Sequence, residues 1–299
     1  MKRQPKLTIG QTLKSIRENS HLTQKELYDG IMSVAHRHRI EVDEQTPSFE
    51  KLSNILSRVS ISFDEFEYIK NGYQLKTANL FFSKFLTLRT TNYPEKMKLL
   101  KEEMEQYLQA EKNQFVQHLL WILEAFIYKQ ETKDLEGTRK LGLRVWESLE
   151  KKDAWYFLDI FLISQIVYIF DYQTIEHIMN RLFTYLDLYH DFQNTKQIAK
   201  YVYYNYATLL KEHGEITKMI APLKKSLEIA QNEHDLLLMM DIKYLLAEID
   251  WINGEKELSL KEATKIIQSL YYFGMKEIAL DNKKEWLKLT NIDISLEES

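Results

Sequence analysis

Between residues 23 and 41 the chain runs Thr23-Gln24-Lys25-Glu26, then Asp29-Gly30, then Ser33-Val34-Ala35-His36-Arg37-His38-Arg39-Ile40-Glu41. Cations, two imidazoles, an amide, a hydroxyl and small apolar groups stand close together there. Such groups can neutralise phosphates and read the edges and methyl groups of bases. The segment reads as the second and third helices of a helix-turn-helix, which makes double-stranded DNA the expected partner.

Capping residues set the elements that must hold this segment. Ile9, Leu13 and Ile16 recur at helical spacing, giving a first helix over residues 8–19. Thr23-x-x-Glu26 has capping-box spacing and opens a second helix, which Asp29-Gly30 ends. Ser33 caps a third helix running to about Glu41, and a loop covers 42–47. Ser48 caps a fourth helix with Phe49, Leu52, Ile55, Leu56 and Val59 on its apolar face. Ser62 or Asp64 starts a short fifth helix carrying Phe63 and Phe66.

Composition narrows the rest. Only 8 Gly and 4 Pro in 299 residues favour long helices with short links over a many-stranded sheet, so the fold class is all-α. No cysteine is present, which excludes disulfides, thiolate metal sites and cysteine nucleophiles and fits a reducing cytoplasm. Residues 1–6 lead into polar helix without an apolar signal core. The most apolar run, 155–170, is interrupted by Asp159 and Gln165, so it reads as a buried helix and no membrane partner is expected. Residues 1–40 hold eight Lys and Arg against three Asp and Glu; the net +5 there leaves −9 for the remainder of a chain of net −4. A basic end on an acidic body attracts phosphate locally.

Enzyme chemistry finds no support. There is no glycine-rich phosphate loop, no Gly-x-Ser-x-Gly elbow and no His-Glu-x-x-His pair. His36 and His38 are two apart on a helix and point to different sides, so no metal site is expected, and no cofactor.

From Leu75 onward helices alternate with short breaks. They are expected near 75–90, 94–111, 113–130, 134–150, 153–170, 172–190, 193–213, 215–232, 234–252, 255–272 and 274–290. The breaks carry Asn92-Tyr93-Pro94, Asp134, Asp171, Gly214, Gly254 and Gly274. A repeat appears at an offset of 40: Tyr204 with Tyr244, Ala207 with Ala247, Gly214 with Gly254, Glu215 with Glu255. Each half reads helix, Gly-Glu turn, helix, which is the pattern of a tetratricopeptide-like array.

The order Thr23-Gln24, Ser33, Arg39-Ile40-Glu41 and Pro47-Ser48 resembles the five-helix DNA-binding domain of the phage-repressor (lambda-repressor-like) regulators. That resemblance implies a third helix in the major groove, with Val34, Ala35, His36 and His38 toward the bases and Ser33 also among the DNA-binding residues. Gln24, Lys25, Lys14 and Arg39 are then phosphate clamps. Arg37 occupies a position usually apolar in this pattern and is expected to snorkel to a phosphate. Asp43 stands near the place of a usual Gly and tolerates the left-handed region.

Further along, Tyr203-Tyr204-Asn205-Tyr206-Ala207, Gly214 and residues 222–230 resemble the peptide-sensing repeat of Gram-positive pheromone receptors. With Ile69-x-Asn71-Gly72-Tyr73, the whole chain is most similar to the Rgg/GadR/MutR regulators. The resemblance is specific in the N-terminal domain and around 203–230. It implies that Asn205 grips the backbone of a short peptide, since a carboxamide both donates and accepts. Gln165, Tyr168, Asp241 and Tyr244 are the other inner-surface candidates. The position of Tyr168 is often Arg in relatives, so its Tyr favours an apolar ligand.

The reading is therefore a helix-turn-helix domain over 1–70 and a helical-repeat, peptide-sensing and dimerisation domain over 71–299. It describes a cytoplasmic homodimeric transcription regulator for quorum sensing. Its partners are paired DNA half-sites and a short hydrophobic signalling peptide. Two alternatives stay open: a protein-interaction scaffold, and a DNA-binding regulator with no peptide ligand.

Overall fold

The computed structural model describes residues 4–88, 94–192 and 195–296. Lys2 and Arg3 of the basic end, Asn92 and Tyr93 of an expected break, and Gln193 of an expected helix start lie outside the described residues. Every regular element among those described is helical, as sixteen α-helices and two short 3-10 turns. The chain packs as two compact units, residues 1–120 and 121–299.

The first unit opens with α1 (Ile9–Asn19), α2 (Gln24–Tyr28), α3 (Val34–Glu41), α4 (Phe49–Arg58) and α5 (Phe63–Lys70). Their starts follow local chemistry. Thr8 and Gln11 form a capping box on α1, and Thr23 and Glu26 form one on α2. Ser48 and Ser62 accept from the backbone N–H of Lys51 and Glu65, so Ser62 rather than Asp64 starts α5. Ser33 occupies the cap position of α3, but its side chain makes no capping hydrogen bond. Leu13, Leu27, Tyr28, Ile40, Ile55, Leu56 and Phe66 close a common core. Phe49 and Phe63 stay outside it: Phe49 is 75% exposed, and the two rings stack with centroids 4.9 Å apart.

Next come α6 (Thr77–Leu88), α7 (Pro94–Ala110) and α8 (Gln114–Thr132), the last crossing the boundary between units in sequence. α6 packs on α7, where Phe81 meets the Tyr107 ring at 5.4 Å.

The second unit continues with α9 (Leu135–Leu149), α10 (Phe157–Ile166), α11 (Tyr172–Leu188), α12 (Thr195–Glu212), α13 (Ile220–Asn232), α14 (Leu236–Ile252), α15 (Lys256–Tyr272) and α16 (Lys276–Thr290). The apolar run expected as one helix over 153–170 is shorter. The Asp159 carboxylate accepts from the Tyr156 N–H at 3.1 Å and from Lys152 Nζ at 2.7 Å, so α10 starts only at Phe157. It then tightens into a 3-10 turn over Val167–Ile169. The helix expected from 215 is likewise split. A 3-10 turn, Ile216–Met219, precedes α13, whose first turn holds Pro222 where a missing N–H needs no partner.

From α12 onward each helix packs mainly on the next, and α14 also touches α16. The 40-residue repeat is physical. Ala207 and Ala247 are both buried in the shared core. Gly214 and Gly254 follow α12 and α14 with φ of 76° and 102°. The next N–H reaches back over each helix end in the same way, Glu215 to the Leu210 carbonyl and Glu255 to the Asp250 carbonyl, each at 2.9 Å. Lys200 on α12 joins the repeats, its ammonium 2.8 Å from Asp235, the cap of α14.

Nothing lies within 4 Å of a Cβ placed on Gly214, so only its backbone conformation demands glycine. Gly214→Ala is expected to cost about 1–2 kcal/mol. Gly214→Asn should cost less, because Asn visits the left-handed region more readily. Thermal unfolding followed by tryptophan fluorescence measures both.

Candidate nucleic-acid and ligand sites

The Glu41 carboxylate, at the end of α3, is buried and receives four hydrogen bonds from two other helices. Arg17 Nε and Tyr28 OH donate to Oε1 at 2.6 and 2.8 Å. Arg17 NH2 and Gln24 Nε2 donate to Oε2 at 2.9 and 2.8 Å. Burial alone would raise the Glu41 pKa, but the bonds from Arg17, Gln24 and Tyr28 and the charge of Arg17 hold it below the usual carboxylate range. The same bond to Glu41 raises Arg17, while burial and then Glu41 push the Tyr28 phenol up. α1 and α3 also come very close: a Cβ on Gly10 would lie 1.9 Å from the Ile40 carbonyl oxygen. Asp43, at φ 65°, accepts there from Thr8 Oγ1 at 2.5 Å and from the Gly10 N–H at 3.2 Å.

This frame sorts the candidate DNA-contacting residues. Val34, Ala35, His38 and Arg39 are exposed on one side of α3, with Val34 72% exposed. Ser33, Lys25 and Lys14 are exposed as well. His36 is half-buried, with Nδ1 3.4 Å from Lys51 Nζ on α4. Burial, then the charges of Lys51 and Arg39, hold its pKa below the ordinary histidine value.

Two side chains depart from expectation. Gln24 spends its amide on Glu41 rather than standing free for a phosphate. Arg37 is only 6% exposed, and its guanidinium donates to the Met32 carbonyl at 3.2 Å and to Asp29 at 2.8 Å. Its stem fills the apolar position while its head pins the turn between α2 and α3, so it is not presented to a phosphate. Arg58 has a role that spacing does not disclose. From α4 its NH1 donates to the carbonyls of Leu27 and Asp29, at 3.0 and 2.9 Å, at the end of α2.

The expected peptide-contacting residues do not form one cluster. Asn205 is exposed on α12; Thr208 Oγ1 donates to its backbone carbonyl at 2.8 Å, and its carboxamide has no hydrogen-bond partner among the described residues. Gln165 is buried and donates to Ser164 Oγ at 2.7 Å. Tyr168 lies in the 3-10 turn with Lys129 Nζ 4.6 Å from its ring centroid; its hydroxyl is buried with no hydrogen-bond partner among the described residues, and burial pushes the phenol up. Tyr244 is 4% exposed and belongs to the core, donating to the Asn282 carbonyl at 2.8 Å and packing on Trp286. Asp241 is half-buried on α14, and burial together with the nearby charge of Asp235 pushes its pKa up to about 6.

Comparison with known proteins adds the following. Residues 96–284 match the family model of the C-terminal domain of the HTH-type transcriptional regulator Rgg. No curated protein matches the chain in sequence. A proposed transcriptional regulator of Listeria monocytogenes EGD-e superposes with a TM-score of 0.77 at 19% identity, over 97% of this chain and 100% of that one. The SHP pheromone receptor Rgg2 of Streptococcus dysgalactiae gives 0.67 at 16%, over 94% and 100%. PlcR of Bacillus thuringiensis, solved with the peptide PapR7 and DNA, gives 0.65 at 19%, over 91% and 98%. The fold is thus a helix-turn-helix domain followed by tetratricopeptide-like repeats.

Glu41→Ala leaves the Arg17 guanidinium half of a broken buried pair, a loss of about 3–5 kcal/mol. Peptide-level hydrogen exchange over residues 9–70 is expected to accelerate at least a hundredfold, with residues 195–290 unchanged. Because the folded pKa of Glu41 is depressed, its contribution is present above the unfolded carboxylate value and is lost as pH falls through the folded one. The mutant and wild-type exchange rates should therefore converge in acid.

Proposed function

Because this chain belongs to the family of Rgg-type transcriptional regulators, we propose that it is a sequence-specific DNA-binding protein controlled by a short hydrophobic peptide. The observation that carries the DNA half is the Glu41 network, which ties α1, α2 and α3 together and leaves Val34, Ala35, His38 and Arg39 outward on one side of α3. That face enters the major groove. Val34 and Ala35 meet thymine methyl groups, and His36 and His38 read polar base edges. Ser33, Lys14, Lys25 and Arg39 hold phosphates and set register. Gln24 and Arg37 act beneath them as positioning residues. Residues 1–70 form the DNA-binding part, and two copies of the chain address paired half-sites in the cytoplasm. Among the described residues no helix is long and apolar enough to cross a membrane.

The peptide half draws on the repeats. PlcR, of the same fold, was solved with a peptide and DNA together. Asn205, exposed on α12, has a carboxamide ready to take a peptide bond from either side. Bound peptide shifts how the two DNA-binding parts are held, by no more than its differential affinity for the two arrangements.

Two measurements test this. Arg39→Ala should reduce the slope of log K against log salt by about 0.9, one phosphate contact, in duplex-binding titrations. Asn205→Ala should shift the peptide dose response at least tenfold while leaving peptide-free DNA binding within twofold. Equal loss of both properties would contradict separate sites.

A further inference from the structure

A cavity of about 230 Å³ opens among the C-terminal turns of α12, α14 and α16 and the 3-10 turn Ile216–Met219. Met219 and Ile249, both buried, supply apolar lining, and the half-exposed Ile252 and Leu289 add to it from two different helices. The charges at the cavity cancel in pairs. Lys211 bonds Glu248, and Lys288 lies 2.6 Å from Glu285. Nothing there calls for an ion, so the group that enters must be apolar. The space exceeds the ~150 Å³ that accepts benzene and falls short of the ~300 Å³ of a complete small-molecule pocket. It suits one bulky side chain of a ligand that continues elsewhere.

The continuation is marked on α14. Asp241 precedes Glu248 by seven residues, two turns on the same face and ~10 Å along the axis. The other acids of this stretch are matched: Asp235 has Lys200 at 2.8 Å, and Glu248 has Lys211. Asp241, half-buried beside Tyr204 and Asp235, has no hydrogen-bond or ion-pair partner among the described residues. A desolvated carboxylate in that position is a site for a cation.

We propose that the cavity anchors one aromatic or branched aliphatic side chain of an extended peptide whose amino group, about three residues away at ~3.3 Å each, sits against Asp241. This rests on the peptide-sensing reading above and assigns the class of peptide: a free amine three residues before a bulky apolar side chain.

The test is a fluorine NMR titration of the full chain near pH 7 with Ala-Gly-Gly-(4-fluorophenylalanine) amide and with its N-acetyl counterpart. Both probes should bind saturably, the free amine about threefold tighter, as expected for a partly exposed ion pair. Asp241→Asn should make the two probes equal. Ile252→Trp and Leu289→Trp, which fill the cavity from residues already partly in solvent, should each weaken both probes about tenfold through lost apolar burial. Absence of saturable binding to the wild type would overturn the assignment. So would an amine preference that survives Asp241→Asn, or unchanged binding by the two tryptophan variants. No DNA or response is involved, so failure here leaves the regulator reading standing. An unchanged peptide dose response in Asn205→Ala would instead strike that reading.

Discussion

The first five helices depend on the satisfaction of one buried carboxylate. Glu41 is buried, so most of its charge must be met by protein, and four donors from α1 and α2 meet it. A buried charge is tolerated only in such company. The requirement fixes α3 against its neighbours more tightly than apolar packing alone, because each donor must keep its distance and direction. Gly10 allows the α1 backbone to touch the end of α3, and Arg37 and Arg58 secure the turn between α2 and α3. What remains outward on α3 is therefore set by what Glu41 holds inward.

The repeats are held differently. Each helix leans on the next, and the Gly-ended helices close with the same backward hydrogen bond. Where α12 meets α14, long-range ion pairs join Lys200 with Asp235 and Lys211 with Glu248. Asp241 stands between these two pairs in sequence and has no such partner among the described residues, so a cation placed beside it would gain an unmatched carboxylate.

Sequence disclosed the parts governed by neighbours in the chain. The capping box at Thr23, the caps at Ser48 and Ser62, and the Gly214 and Gly254 turns all rest on contacts within a few residues. The left-handed backbone at Asp43 is of the same kind. What escaped was long-range. Gln24 and Arg17 meet Glu41 across 17 and 24 positions, and Arg58 reaches Leu27 across 31. No periodicity reports such pairs. Facing was the other loss. Tyr204 and Tyr244 repeat at 40, yet Tyr244 is core, and Asn205 is exposed. Gln165 sits in a run buried nearly all round, where helical spacing cannot distinguish a groove from an interior. The helix expected from 153 was delayed because Asp159 binds the backbone N–H of Tyr156.

The claim at the centre of this account is that the outward face of α3 reads duplex DNA as one half of a symmetric pair. Selection of binding sites from a random duplex library by the full-length chain tests it most directly. The account predicts enrichment of a two-fold symmetric motif whose half-sites lie about one helical turn, or a multiple of it, apart. Repeating the selection with Val34→Gln should change the preferred bases within each half-site and keep their separation. Recovery of sequences no different from the starting library, or a motif unaffected by that substitution, would contradict it.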